Sequence, residues 1–214
     1  MGTPTMFLRF AGCNMRCPGW PCDTPHAIEP SIWVKESEKF EIKQLVKRIQ
    51  DTTGTGVTNI CWTGGEPFIQ PIEQLERLYW ELADKGYTQE VFTNGSVIFP
   101  DFTDSMLKMM DWKLAGSGED SFNVSEREYN AFENLGPDDG IKFVIVDKDD
   151  YEEAMHIWRH LAWKVQCQAQ FWVGAAWGRI KEAQLVEWIL EDGLPWKLNV
   201  QVHKYIWPAD KRGV

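Results

Sequence analysis

The chain has 214 residues, of which 43% are hydrophobic and 25% charged, a globular composition that excludes disordered, collagen-like and low-complexity classes. Lys and Arg total 22 against 32 Asp and Glu, a net charge of −10, which disfavours nucleic acid and anionic membrane as partners and leaves a small ligand as the default. No linker, charge block or repeat divides the sequence, so one domain over residues 1–214 is expected.

Taken in chain order, Thr5 to Phe10 reads as a first strand running directly into Gly12 and a segment with three cysteines, Cys13, Cys17 and Cys22. Ile42, Leu45, Val46 and Ile49 have the spacing of an amphipathic helix over Phe40 to Gln50 that stops near Gly54. Strand Val57 to Trp62 leads into the turn Thr63-Gly64-Gly65-Glu66-Pro67, and a helix follows from Pro71 to Lys85. Then come strand Glu90 to Thr93, a short helix over Asp104 to Met109, strand Asp111 to Leu114, strand Ile141 to Val146, helix Tyr151 to Lys164, strand Ala169 to Val173, helix Lys181 to Glu191 and strand Lys197 to Val202. Trp158, Trp163 and Trp188 fall within helical patterns and read as packing residues. The rhythm implies an α/β fold, an open, partial (β/α) barrel with about six mostly parallel strands and right-handed crossovers. Ligands in such sheets sit beyond the carboxyl ends of the strands, where the unusual residues fall.

No apolar run is long enough to span a bilayer, and Met1-Gly2-Thr3-Pro4 lacks the basic start of a secretion signal, so cytoplasmic residence is expected. In that reducing compartment, five cysteines, an odd number, point to metal or redox chemistry rather than a disulfide framework. Cys13 and Cys17 are separated by Asn14-Met15-Arg16, and Cys17 and Cys22 by Pro18-Gly19-Trp20-Pro21. A zinc loop would need a fourth ligand, and His26 is the nearby candidate. Three thiolates on one loop suit three irons of a [4Fe–4S] cluster equally well, with one iron left open. The Gly-Gly-Glu turn bares its backbone to a ligand, or is simply a tight turn before a helix.

Together, the first strand, the three-cysteine loop and the Gly-Gly-Glu turn resemble the radical S-adenosylmethionine superfamily. The resemblance implies that the open iron chelates S-adenosylmethionine, that the turn receives the methionine ammonium, and that one-electron reduction releases a 5′-deoxyadenosyl radical. That radical, and no side chain, abstracts the substrate hydrogen. Four further segments, Gly2 to Cys17, Cys22-Asp23-Thr24, Thr93-Asn94-Gly95 and Gln201 to Trp207 with Arg212-Gly213-Val214, resemble the 7-carboxy-7-deazaguanine synthase family across the whole chain. Its reaction is a radical ring contraction of 6-carboxy-5,6,7,8-tetrahydropterin with loss of ammonia, requiring Mg²⁺ and feeding deazaguanine nucleosides such as queuosine.

Carried over residue by residue, the resemblance makes Cys13, Cys17 and Cys22 the cluster ligands and Thr24 the Mg²⁺ ligand. It assigns Pro21, Asp23, Gly64, Gly65, Glu66, Asn94, Asp111 and Lys113 to S-adenosylmethionine, with Trp112 standing where the family has proline. Arg9, Thr63, Gln201, His203 and the terminal carboxylate of Val214 are assigned to the pterin. Arg9, among apolar neighbours on a strand, reads as a buried guanidinium awaiting the substrate carboxylate or an internal acid, and Gln201 and His203 read as two positions on one strand face. The family also carries a glutamate ahead of its Gly-x-Pro, so another carboxylate, a partner subunit or a longer chain is expected to supply it. A homodimer and an external electron donor are implied. Two alternatives stay open: an activating enzyme for glycyl-radical proteins, and a zinc-stabilised binding module without catalysis.

Overall fold

A computed structural model describes residues 3–20, 22–54, 56–119, 135–209 and 211. Seven parallel strands form one sheet: β1 Thr5–Phe10, β2 Asn59–Gly64, β3 Thr88–Thr93, β4 Leu107–Trp112, β5 Gly140–Ile145, β6 Gln170–Ala175 and β7 Lys197–Leu198. Their order in space is their order along the chain, β1 to β7, and every neighbouring pair is parallel. Right-handed crossovers that always step in one direction put their helices on one face of the sheet. This is the winding of a (β/α) barrel, but β1 and β7 remain the edges of an open sheet.

The helices are α1 Pro25–Ile28, α2 Pro30–Glu36, α3 Ile42–Thr53, α4 Ile72–Ala83, α5 Lys148–His160, α6 Glu182–Glu191 and α7 His203–Ile206. Glu41 and Gln44 form a capping box at the start of α3, and Gly54, with φ 57°, ends it. Asp147 caps α5 by accepting from the Asp150 N–H at 3.1 Å. Among the described residues, no helix is long and apolar enough to cross a membrane.

Strand residues alternate between two environments. Ile60, Trp62, Val91, Met110, Ile141, Phe143, Ile145 and Val173 are buried on the helix side. They pack against Val46 and Ile49 of α3, Leu75, Leu78 and Leu82 of α4, Tyr151 and Ala154 of α5, and Leu185 and Ile189 of α6. The register aligns Arg9 with Thr63 and Asp111 with Lys142 on the opposite, open face, and Lys142 in turn with Trp172.

Three expectations change. The β4 strand begins at Leu107, in the segment read as a helix, because Lys108 is a buried strand residue whose ammonium is held by Asp139 at 3.4 Å and the Thr103 and Met106 carbonyls. Strand pairing of β7 stops at Leu198, with one further bond from the Asn199 N–H to the Val173 carbonyl at 2.7 Å. Gln201 therefore lies in a turn and His203 opens α7, so they are not two positions of one strand face. Trp158 and Trp188 pack against the core, whereas Trp163 is 69% exposed.

Candidate active site

The cysteine loop leaves the carboxyl end of β1 and is locked against the carboxyl end of β2 by a pair of backbone bonds, with side-chain bonds beside them. Gly65 N–H donates to the Phe10 carbonyl at 2.9 Å and Glu66 N–H to the Gly12 carbonyl at 2.8 Å. A Cβ on Gly65 would sit 1.7 Å from the Gly12 oxygen, and one on Gly64, whose φ is 112°, would sit 2.4 Å from the Phe10 oxygen. The glycine pair is thus required first by the contact between the two loops.

Glu66 is fully buried. Its Oε1 accepts from the Thr93 hydroxyl at 2.8 Å and the Phe68 N–H at 3.1 Å, and its Oε2 from the Asn94 N–H at 2.7 Å. Burial pushes the carboxyl up, against the pull of these donors. Its side chain ties the ends of β2 and β3 together, and what the turn can offer a ligand is its backbone. Asn94 extends the tie: its Nδ2 donates to Asn14 Oδ1 at 3.0 Å and approaches Cys13 Sγ at 3.7 Å.

The five cysteines form no disulfide among the described residues, and the three of the loop are partly exposed. Cys13 Sγ accepts from the Met15 N–H and Cys22 Sγ from the Thr24 N–H, each at 3.4 Å. These are the polar contacts that stabilise thiolate sulfur. Burial pushes the Cys13 thiol up and the Cys17 thiol up to about 11, with Lys113 pulling both down, so loading a metal group has to displace protons. Among the described residues, no three His, Cys, Asp or Glu side chains converge on a point that could hold one ion. Thiolates sharing a zinc lie about 3.8 Å apart, from the 2.3 Å Zn–S bond in a tetrahedron. A [4Fe–4S] cluster gives each thiolate its own iron, and three partly exposed cysteines on one loop are the donor set it takes.

Behind Cys17 lies a charged group on the open face. Asp111 Oδ2 is 3.1 Å from Lys113 Nζ and 3.5 Å from Lys142 Nζ, while its Oδ1 is buried and accepts no hydrogen bond among the described residues. Burial works against the Asp111 charge, but Lys113 and then Lys142 outweigh it and hold the carboxyl below the usual carboxylate range. Burial likewise opposes the Lys113 charge, and Asp111, followed by Cys17, outweighs it and raises the ammonium above its ordinary value. Lys113 also lies over the Trp20 ring, 5.8 Å from its centroid.

Arg9 is a correction. It is exposed rather than buried, because β1 is an edge strand and its odd-numbered side chains face the open side, where the guanidinium lies 5.1 Å from the Phe7 ring centroid. Thr63 is its cross-strand partner. Thr24 stands at the N-cap of α1, but its hydroxyl donates to the Gly64 carbonyl at 2.8 Å and its oxygen lies 3.6 Å from Cys22 Sγ. Asp23 is clamped from the carboxyl-terminal segment by the Gln201 amide and by Lys204 Nζ, the latter at 2.8 Å. His203 is half-buried on α7. Pro21 and Val214 lie outside the described residues. The structure thus gathers Cys13, Cys17, Cys22, Asp23, Thr24, the glycine turn and Asn94, joined by Gln201, and carries Arg9, Thr63, Asp111 and Lys113 on the adjoining sheet. Lys142, Lys204, Asn14 and Glu119 were missed. Lys142, a lone lysine in the apolar run Gly140 to Ile145, was a readable signal; the others show only through distant partners.

A family model described as a 4Fe-4S single cluster domain matches residues 2–134. A protein from Leptospira interrogans named 7-carboxy-7-deazaguanine synthase is 34% identical, with 100% of this chain and 91% of that protein covered. Proteins of the same name from Clostridium acetobutylicum and Koribacter versatilis are each 32% identical, over 100% of this chain and 91% and 92% of theirs. Among solved structures, Streptococcus suis SuiB bound to its precursor peptide SuiA superposes with a TM-score of 0.61 at 10% identity, and SuiB bound to S-adenosylmethionine with 0.59 at 11%. The matches cover 96% and 91% of this chain but only about half of the SuiB chain, 51% and 49%, and at that identity they show the shared fold. Full-length similarity above 30% identity, a matching cluster-domain model and three free thiols on one loop above a singly wound sheet agree: this chain belongs to the 7-carboxy-7-deazaguanine synthase family.

Proposed function

We infer that the chain is a radical S-adenosylmethionine lyase that converts 6-carboxy-5,6,7,8-tetrahydropterin to 7-carboxy-7-deazaguanine with loss of ammonia. The observation that carries this reading is the full-length relationship to proteins of that name, and the union of the cysteine loop with the Gly-Gly-Glu turn and an open face bearing Arg9 and Thr63 supports it. When bound, a [4Fe–4S] cluster supplies the electron that cleaves S-adenosylmethionine to a hydrogen-abstracting radical.

Cys13, Cys17 and Cys22 hold the cluster, and the N–H groups of Met15 and Thr24 steady two of the sulfurs. Asp111, kept anionic by two lysines, offers Oδ1 as an acceptor to the bound S-adenosylmethionine, and the Gly64-Gly65 backbone and Asn94 border the same space. Arg9, exposed beside Thr63, receives the pterin carboxylate in a charge-assisted pair. Thr24 contributes a hydroxyl oxygen to Mg²⁺, its proton being engaged by Gly64; an ion that keeps most of its waters accepts a single protein ligand. Gln201 and His203 approach the pterin from the carboxyl-terminal segment, and Asp23 joins that segment to the loop. We further propose an external electron donor, a homodimer, residence in a reducing compartment that suits five cysteines without a disulfide, and a product used for deazaguanine nucleosides such as queuosine.

Anaerobic reconstitution is expected to give broad absorbance near ~400 nm and about four irons per chain. Incubation with the carboxypterin, S-adenosylmethionine, reductant and Mg²⁺ is then expected to yield the deazapurine by mass analysis. Cys13→Ala, Cys17→Ala and Cys22→Ala each abolish S-adenosylmethionine cleavage. Cleavage without deazapurine would remove the substrate reading, and a colourless protein would remove the cluster.

A further inference from the structure

The three cysteines of the loop are not equivalent. Cys13 and Cys22 each accept the N–H two residues ahead, from Met15 and Thr24. At Cys17 the corresponding donor, Gly19 N–H, goes instead to the Ser117 carbonyl at 2.9 Å. The N–H groups of Cys17 and of Arg16 before it are also taken: Glu119 Oε1 accepts from Cys17 N–H at 2.7 Å and from Arg16 N–H. Among the described residues, Cys17 Sγ accepts no hydrogen bond, and Cys17 adopts φ 44°, a left-handed conformation that non-glycine residues rarely hold without support.

The support is a turn more than a hundred residues away in sequence. Residues 115–119 follow β4 and lie on the cysteine loop so closely that a Cβ on Gly19 would be 1.8 Å from the Gly116 oxygen, and one on Gly118 would be 2.7 Å from Pro18. The turn is anchored from below, where Asp150 accepts the Gly116 N–H at 2.8 Å and Glu153 accepts the Ala115 N–H at 2.9 Å. Glu119 is therefore presented to Cys17 by a built scaffold.

We propose that Glu119 is a positioning residue for the iron–sulfur cluster: it holds Cys17 in its left-handed conformation, diverts two backbone donors from the cluster sulfurs, and sets a negative charge at that corner. The inference rests on the cluster reading above. Hydrogen bonds to sulfur and local charge govern the potential of such clusters. Donors withheld and a carboxylate added both favour the oxidised state and lower the potential, the direction that strengthens the reduced cluster as a one-electron donor to a sulfonium. Lys113, facing the same cysteine from β4, acts in the opposite sense, with its charge already engaged by Asp111.

The test compares wild type, Glu119→Gln, Glu119→Ala and Glu153→Gln after anaerobic reconstitution, by iron content, electron paramagnetic resonance of the reduced cluster and potentiometric titration. The Gln variant keeps an acceptor oxygen for both N–H groups and loses only the charge. It is expected to retain its iron while the ratio of reduced to oxidised cluster at fixed poise rises about tenfold, about 59 mV for one electron. Glu119→Ala frees the donors as well, and is expected to lose iron and broaden the resonance. Glu153→Gln, altered on the helix that carries the turn, is expected to match wild type. An unchanged or lowered potential in Glu119→Gln overturns the proposal even if Glu119→Ala fails to fold. A wild-type chain that takes up no cluster overturns the reading beneath it as well.

Discussion

The two faces of the sheet are made from alternate residues of the same strands, yet they are different materials. On the helix side, Trp62, Ile141, Phe143 and Ile145 are sealed among α3 to α6. On the other side the same strands present Arg9, Thr63, Asp111 and Lys142, charged or hydroxylated and only partly covered. Two lysines sharpen the contrast. Lys108 on the helix side is closed in by Asp139 and two carbonyls, every partner supplied by the fold. Lys142 on the open side shares Asp111 with Lys113, and that carboxylate keeps one oxygen without a partner among the described residues. The Lys108 pair closes on itself within the fold, while the Asp111 oxygen, on a face only partly covered, has room to accept from a ligand.

This division can be broken at three points. The largest effect belongs to the sealed face: Trp62→Ala removes a fully buried indole packed on Phe10 and Phe102 and is expected to cost about 3–5 kcal/mol in urea unfolding of the apoprotein. A loss below about 1 kcal/mol would mean that the helix side is not the main source of stability. On the open face, Arg9→Ala should move apoprotein stability by no more than about 0.5 kcal/mol. The same change should weaken pterin binding by about 1.5–3 kcal/mol, tenfold or more, the loss of a charge-assisted contact; equal affinity for both proteins in calorimetry removes Arg9 from the site. The smallest effect is acid-dependent. Asp111 has a carboxyl held below its ordinary value, so its contribution is present above the ordinary carboxylate range, about pH 4, and is lost as pH falls through the depressed value. Asp111→Asn, expected to cost about 1 kcal/mol at neutral pH, should converge on wild type in urea midpoints as the solution is acidified. A gap independent of pH would show that the charge contributes nothing.

Much of the sealed face was legible because alternation is a two-residue signal: Ile60 and Trp62, Val91, and Ile141, Phe143 and Ile145 announce their strands. What failed did so for local reasons. No helix was expected between Cys22 and Phe40, yet Pro25 and Pro30 open the short helices α1 and α2, where proline suits the first turn. Lys108 disguised β4, and β7 stopped before the segment in which Gln201 and His203 were expected to share a face. Arg9 was read as buried because apolar neighbours do not reveal that a strand lies at an edge. The cysteine loop and the glycine turn were legible as types of residue at a spacing, but the mutual backbone bonds of Gly12, Gly65 and Glu66 were not. Glu119 carried no local mark, since its partners lie 102 and 103 positions away.

A sheet whose spatial order equals its chain order also grows in that order during translation. The three loop cysteines precede β2 in the chain, but the groups that frame them arrive in instalments: Asn94 after β3, Lys113 and Glu119 after β4, and Lys204 after β7. Each new strand docks onto the edge left by its predecessor, so the surroundings of the thiols are complete only after all seven strands and α7 are in place. Iron and sulfide meant for a finished pocket would have to arrive after that last docking step.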